Sequence, residues 1–517
     1  MKEMEEKIAE LREKKLNFSD SSRQKEVETQ HKVGKLTARE RIDKLIDPGT
    51  FTETEMFVKH RCTSFGMDKK EVPAEGVVTG YGKINGREVM VFSEDYTALA
   101  GTFGEYHGSK ITKSIQMAMN MRVPVIGLND SGGARLQEGI DASHAYSKLF
   151  SAQIKASGVV PQIALLMGPC LGGQAYHPIM MDFLFMVRGT SHMAIAGPAF
   201  VKTITGEEIG LEELGGADVH ARLSGGADLV AENDDQCLKR TKELLSFLPS
   251  NNNEKSPYLS TNDAPDRMDE SLQTIAPTNS AIPFNMYEVI KRVVDDGYFF
   301  EIKSDYAKNI ITCFARFGGH TVGIIANQSM VLAGGIDINA ADKATRFIRF
   351  CDIFNIPLIQ FQDSPAYWIG TKQEWGGILR HGAKMLFAFI EATVPKITII
   401  VRKAYAGAYI GMCNKDSGAD LVYSWANGEI ALVGPETAAS VIFAKEIRNA
   451  ENPGEVRKQR IKEYADRFVT PYLAAERGYI DGVIEPRETR LYLIRALELT
   501  KNKIDVRPHK KYANITM

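Results

Sequence analysis

Two apolar runs in the first half of the chain end in clusters of very small residues. Val125-Ile126-Gly127-Leu128-Asn129-Asp130 leads into Ser131-Gly132-Gly133-Ala134-Arg135, and residues 163–167 lead into Gly168-Pro169-Cys170-Leu171-Gly172-Gly173. Glycine lacks a Cβ, so the backbone here can bend through conformations closed to other residues and bring its N–H groups close to a ligand oxygen. A helix that begins at such a turn adds its own unpaired N–H groups and the positive end of its dipole. In the second half, Arg402-Lys403-Ala404-Tyr405-Ala406-Gly407-Ala408-Tyr409 has small residues at a comparable place. The chemistry this suits is stabilisation of negative charge on a carbonyl oxygen, by a pair of oxyanion holes, one in each half, built from backbone N–H groups. Tight strand-to-helix turns also need glycine simply to pack. The matched placement in both halves favours the functional reading, because it predicts two similar sites for two carbonyls.

No conventional catalytic set competes. The sequence holds no P-loop, no GxSxG elbow and no HExxH pair. Ser131 has the chemistry of a nucleophile, but nothing in the sequence supplies its base, and a turn serine more often serves as a hydrogen-bonding cap. His107, His144, His177 and His192 lack metal-ligand spacing, and the six cysteines stand far apart without a CxxC pair. Arg380-His381 follows Gly376-Gly377 in a helical pattern, where facing a ligand and a packed or solvated role are equally open.

The elements that must position these turns show in the hydrophobic pattern. From Val77 onward, short apolar runs alternate with helical patterns, the mark of an α/β arrangement in which helices cover strands. The pattern occurs twice. Val77-Val78-Thr79 aligns with Ile310-Ile311-Thr312 at an offset of 233, and the same offset sets Leu99-Ala100-Gly101 on Leu332-Ala333-Gly334, Lys110 on Lys343, and Asp130-Ser131 on Asp363-Ser364. Residues 160–166 align with 394–400 at an offset of 234, and Gly172-Gly173 is expected to meet Gly407-Ala408 after one more inserted residue. Ordered matches at nearly constant spacing read as a duplicated fold. Domains are expected at 1–250 and 283–517, joined by a linker at 251–282 broken by Pro257, Pro265 and Pro277. Residues 1–47 mix Leu and Ile with charged residues at helical spacing and end at Asp47-Pro48-Gly49, which predicts an amphipathic helical arm.

With 44% hydrophobic residues, 25% charged and a formal charge of −2, the composition is that of an ordinary soluble protein without an electrostatic footprint for nucleic acid. The opening residues have no apolar leader, and no run of about 18 apolar residues follows. A cytoplasmic protein is expected, touching a membrane only through a partner.

Several stretches together are specific to one family. Thr37-Ala38-Arg39-Glu40-Arg41-Ile42, residues 129–139, Gly168-Pro169-Cys170 with Gly172-Gly173, Glu213-Leu214-Gly215-Gly216-Ala217, Tyr306-Ala307-Lys308-Asn309, residues 346–352, residues 377–384 and residues 391–396 resemble the carboxyltransferase subunits of biotin-dependent acyl-CoA carboxylases and decarboxylases. The resemblance implies an α/β chain of two tandem crotonase-like domains, of the ClpP/crotonase superfamily. It implies an enzyme that moves a carboxyl group between N1 of biotin and the α-carbon of a coenzyme A thioester, as carboxylase or decarboxylase. It also implies a homo-hexamer built as a trimer of dimers, with acyl-CoA on the first domain of one subunit and biotin on the second domain of its dimer partner.

By that resemblance, Gly172 and Gly173 would hold the thioester oxygen and Gly407 and Ala408 the biotin ureido oxygen. Ser131, Gly132, Gly133, Ala134, Arg135, Gln174, His177 and Ile410 would meet the acyl-CoA. Asp363, Ser364, Pro365, Ala366, Tyr367 and Trp368 would lie on the biotin side. No biotinyl-lysine motif is visible, since Met117-Ala118-Met119-Asn120-Met121 has Asn where the modified lysine would stand. Biotin must then arrive on a biotin carboxyl carrier protein, with a biotin carboxylase subunit or a membrane decarboxylase subunit as a further partner.

The chain also departs from the family's pattern. Where such proteins read Asp-Val-Pro-Gly-Phe-Leu-Pro-Gly-Thr, this one reads Asp363-Ser364-Pro365-Ala366-Tyr367-Trp368-Ile369-Gly370-Thr371. Leu171 and Gln174 replace alanines and His177 replaces a serine. An altered acyl substrate is the favoured explanation. A biotin-independent acyl-CoA lyase, hydratase or hydrolase on the same fold is the alternative, and a non-enzymatic assembly subunit a remote third.

Overall fold

Asn85 and Gly86, both at positive φ (50° and 78°), fold the chain back between two eight-residue strands, Val77–Ile84 and Arg87–Glu94. An Asn-Gly pair is the preferred two-residue hairpin loop, because its left-handed backbone matches the twist of the strands it joins. In the computed structural model, which describes residues 2–511 and 513–516, this hairpin lies in the first of two units, Met1–Glu254 and Lys255–Met517.

The first unit contains β1 (Thr52–Thr54), β2 (Val77–Ile84), β3 (Arg87–Glu94), β4 (Val125–Asn129), β5 (Gln162–Leu166), β6 (Pro169–Leu171), β7 (Phe183–Val187), β8 (His192–Ala194) and β9 (Leu229–Ala231). Seven of them form one sheet in the order β1-β2-β3-β4-β5-β7-β9, while β6 and β8 pair separately. Beyond the β1–β3 meander the pairing is parallel. β4, β5 and β7 are buried along their whole length, as parallel strands covered on both faces must be. Ile111, Ile115 and Ala118 of helix Glu105–Met121, and Ala145, Leu149 and Ala152 of helix Ile140–Ala156, join Val125 and Ala164 in the core.

The second unit repeats this plan with β10 (Phe299–Ile302), β11 (Ile310–Phe317), β12 (His320–Asn327), β13 (Leu358–Ser364), β14 (Lys396–Tyr405), β15 (Leu421–Trp425), β16 (Glu429–Ala431) and β17 (Gly482–Ile484). Its order is β10-β11-β12-β13-β14-β15-β17, with β16 on β14. β14 spans the places of β5 and β6 in one strand. Registers repeat residue for residue: Val77 faces Glu94 as Ile310 faces Asn327, and Met90 faces Val125 as Gly323 faces Leu358. Even the strained turn after β3 recurs, with Leu99, Ala100 and Gly101 at φ 50°, 53° and 59° and Leu332, Ala333 and Gly334 at 48°, 52° and 78°.

Two expectations change. Leu171 pairs with Ala194 and Tyr405 with Ala431, so Gly172 corresponds to Ala406 and Gly173 to Gly407. The inserted residue expected before the second turn does not exist, because ladder pairing carries the 234 offset straight through. The expected linker at 251–282 is divided as well. Its first four residues belong to the first unit, where the Asn251 amide donates to Arg122 O at 3.0 Å. The rest packs into the second unit, with Leu272 and Ala276 in its core. Prolines break regular structure there without preventing burial.

The arm resolves into helices Lys2–Asn17, Gln24–Lys32 and Ala38–Leu45. Residues 3–17 are exposed throughout. The third helix is held by a capping box between Thr37 and Glu40 and buries Ala38, Arg41, Ile42 and Leu45. Among the described residues, no helix is long and apolar enough to cross a membrane.

Candidate active site

β5 ends against Asp130, the residue that follows β4. A Cβ on Gly168 would stand 1.8 Å from Asp130 Oδ1, so only glycine lets the chain pass. Asp130 itself is fully buried between Lys35 Nζ (2.7 Å) and Arg41 Nη1 (2.9 Å). Arg41 also reaches Asp234 at 2.8 Å and Met167 O at 3.1 Å. The arm thus plugs the base of the turn with two cations, each needed to make burial of the aspartate tolerable.

After β6, Gly172 bends the chain at φ 67°, ψ −134°, and helix Gly173–Ile179 begins. The Gly172 N–H donates to Ala194 O at 3.0 Å. It therefore continues the β6–β8 ladder, and the donors left without a carbonyl one turn back are those of the first helical residues, Gly173, which is exposed, and Gln174. Gln174 and His177 are both fully buried. Gln174 Nε2 donates to Glu94 Oε1 at 2.6 Å, while both ring nitrogens of His177 are without a hydrogen-bond partner among the described residues. Burial lowers the His177 pKa to about 3, with a smaller push from His107. The imidazole is a neutral, space-filling ring beside Phe92.

The Ser131–Arg135 turn is mostly internal. Ser131 Oγ donates to Gly101 O at 2.6 Å, Gly132 N–H to Ala100 O at 2.8 Å and Gly133 N–H to Ser131 Oγ at 3.2 Å. Ala134 bridges to Phe103. Ser131 is thus the turn's cap, with no nucleophile's geometry. Arg135, expected to meet substrate, is buried and spent on Glu75, Glu138 (2.7 Å) and Thr102 O (2.9 Å). Gly132 and Ala134 are the exposed members.

The second unit builds the same frame from different residues. Asp363 is buried against Arg402 (2.9 Å) and accepts from Lys403 N–H at 3.0 Å. Ser364 Oγ reaches Ala366 O at 3.4 Å. Tyr367 bridges to Ile336 as Ala134 does to Phe103. Its side chain lies where Gly382, Gly407 and Gly411 leave room: Cβ atoms at the first two would stand 2.9 and 3.2 Å from its ring, and one at Gly411 2.5 Å from its hydroxyl. Ala406, at φ 49°, opens helix Ala406–Gly411, so Gly407 and Ala408 fall in its first turn. Pro365 and Ala366 are half-buried, and Trp368 and Ile410 are exposed. Asp363 is an internal anchor, and Tyr367 stands beside the second turn.

Sequence reasoning missed Glu94, a buried carboxylate that also accepts from Asp130 N–H at 3.0 Å and lies 3.1 Å from His107 Nε2. No sequence signal marked it, since the repeat sets an asparagine opposite it. Asn327, its counterpart, accepts from Asp363 N–H at 3.2 Å in the same way. His381 Nδ1 is paired with Asp342 at 2.7 Å.

Two crotonase-like α/β units, each turning from a buried parallel strand through small residues into a short helix, define a carboxyltransferase of duplicated architecture. The chain belongs to the carboxyl transferase domain family, whose model matches residues 29–515. It is 52% identical to the methylmalonyl-CoA decarboxylase subunit alpha of Veillonella parvula over all of both chains. It is 48% identical to the mitochondrial propionyl-CoA carboxylase beta chain of Homo sapiens, over 96% of this chain and 90% of that one. A solved transcarboxylase 12S hexamer with methylmalonyl-coenzyme A and methylmalonic acid bound superimposes with a TM-score of 0.95 at 48% identity, covering 99% of this chain and 98% of that one.

Proposed function

We propose that this chain is the carboxyltransferase component of an acyl-CoA carboxylase or decarboxylase, moving a carboxyl group between biotin on a carrier protein and the α-carbon of an acyl-CoA thioester. The observation that most supports this is the match of one carboxyl transferase model across residues 29–515, in a chain whose two units carry corresponding turns.

In this reading the thioester carbonyl sits at the first turn. Negative charge grows on its oxygen as the α-carbon loses a carboxyl group or a proton. Gly173 and Gln174 N–H groups, held by the helix start, stabilise that charge more than the neutral carbonyl, and Gly172 sets the bend that aims them. Loss of one such donor costs about 3–4 kcal/mol. Biotin's ureido oxygen is an acceptor, which the first-turn N–H groups of Gly407 and Ala408 fit; when bound, biotin supplies the nitrogen that carries the carboxyl group. Tyr367, packed beside Gly407, narrows that approach, with Pro365, Ala366 and Trp368 in the same loop. Gly132, Ala134 and Ile410 are exposed positions for the acyl-CoA side. Assembly as a hexamer and docking of a biotin carboxyl carrier protein go with this reading. So does a cytoplasmic site, with a membrane met only through a partner subunit.

The test is to mix the purified full chain with free biotin and malonyl-CoA derivatives of different 2-substituents, methylmalonyl-CoA first, and follow carbon dioxide loss by mass spectrometry. Biotin-dependent turnover is expected. Thioester turnover without biotin would replace this reading by a lyase or hydrolase, and absence of thioester binding by calorimetry would remove both.

A further inference from the structure

The first turn is held at its edges by backbone bonds: Gly172 N–H to Ala194 O (3.0 Å) and Ala175 N–H to Gly172 O (3.1 Å). Between them stand Gly173 and Gln174. The tie at this point is a side chain, Gln174 Nε2 on Glu94 Oε1 at 2.6 Å, across 80 residues of sequence. Glu94 cannot drift, since its other oxygen accepts from Asp130 N–H and the first also meets His107 Nε2. His107 is braced in turn, with Nδ1 2.9 Å from Glu75 O. All three side chains are fully buried, where a hydrogen bond to a carboxylate is stronger than in water.

The second unit contains an independent solution to the same problem. There the residue corresponding to Gln174 is Ala408, which has no side chain to tie. Instead Gln362 Nε2 donates to Ala408 O at 2.9 Å. Gln362 corresponds to Asn129, whose shorter amide stays on its own strand and donates to Gly127 O at 3.1 Å. Each turn is thus fastened by one buried glutamine amide, from the helix in the first unit and from the strand in the second.

We propose that Gln174 is a positioning residue: by binding Glu94 it holds the backbone of Gly173 and Gln174 in place against β3, and so sets where the donors of the first turn stand. This rests on the reading that the first turn receives the thioester carbonyl.

The deciding variant is Gln174→Met, which keeps an unbranched side chain of similar length and loses the donor. Two measurements are made on the full chain: turnover of methylmalonyl-CoA with free biotin, and amide hydrogen exchange of the segment 172–177. The expected result is faster exchange there and a kcat lower by about 10- to 100-fold, since small misplacements of catalytic groups cost this much, with KM little changed. Parent-like exchange and kcat, or a rise in KM alone, would overturn the proposal and leave Gln174 a space-filler. If the parent itself turns over no thioester, the functional reading fails while the exchange measurement still decides the positioning role. Should the Met variant not fold, Gln174→Ala carries the same two measurements, alanine being the residue best tolerated in a helix.

Discussion

Lys110 in the first unit and Lys343 in the second, 233 residues apart, each thread into the body of their unit and hold corresponding carbonyls. Lys110 Nζ donates to Ala74 O (2.7 Å) and Val77 O (2.6 Å); Lys343 Nζ donates to Tyr306 O (2.9 Å) and Ile310 O (2.8 Å), with Ala307 O at 3.5 Å. Burial lowers their pKa values to about 8 and about 7. A neutral amine still has two N–H groups, enough for the two short bonds at each site.

Lys343→Met should therefore destabilise the second unit by about 1–3 kcal/mol for each carbonyl it strands. The loss should grow with pH. The folded pKa of about 7 lies below the ordinary 10.5, so between these values the unfolded chain binds a proton that the folded chain does not. The parent's stability rises over that window by at most about 1.4 kcal/mol per pH unit, and the variant lacks this contribution. Urea unfolding at neutral pH and again at about pH 9 checks the sign.

Gly168→Ala should be among the most damaging single changes in the first unit. Its Cβ would stand 1.8 Å from Asp130 Oδ1, and Asp130 is pinned by Lys35 and Arg41. Disturbing a buried ion pair costs roughly 3–5 kcal/mol. Soluble yield and the denaturation midpoint report it, and a parent-like midpoint would show that Asp130 moves more freely than its partners allow.

Gly172→Ala and Ala406→Gly, at corresponding positions, should act in opposite directions. Gly172 has open space around it, its nearest neighbour being Ile195 O at 3.7 Å, but sits at φ 67°. Alanine there meets no atom yet carries backbone strain of about 1–3 kcal/mol. Ala406 already carries such strain at φ 49°, and glycine relieves about 1–2 kcal/mol of it, less the entropy glycine adds to the unfolded chain. Thermal midpoints of the two variants should fall on opposite sides of the parent or, for Ala406→Gly, no lower.

His177 should not titrate in the native protein near neutrality. With its pKa lowered to about 3 from an ordinary 6.5, the unfolded chain binds a proton across that window and the folded chain does not. Stability contributed by this residue is complete above pH 6.5 and is lost as pH falls toward 3. NMR of the ring should show constant shifts across the neutral range, and His177→Met should flatten the acid limb of the stability curve.

Much was legible in one dimension. Hydrophobic alternation placed the strands, the near-constant offset revealed the duplication, and small residues after β5 and within 404–408 located both turns, since periodicity, repeats and turn composition are properties of neighbours along the chain. Only the tertiary structure decided which of those residues is available to a ligand. The Gly172 N–H is taken by Ala194 O, Arg135 by Glu75 and Glu138, and Ser131 by Gly101 O. The cations on Asp130 come from the arm, Lys35 and Arg41, whereas those on Asp363 come from β14, Arg402 and Lys403. Buried polar groups must find partners wherever folding brings them, and partners such as Glu94 and Gln174, 80 residues apart, have no spacing rule that a sequence can display.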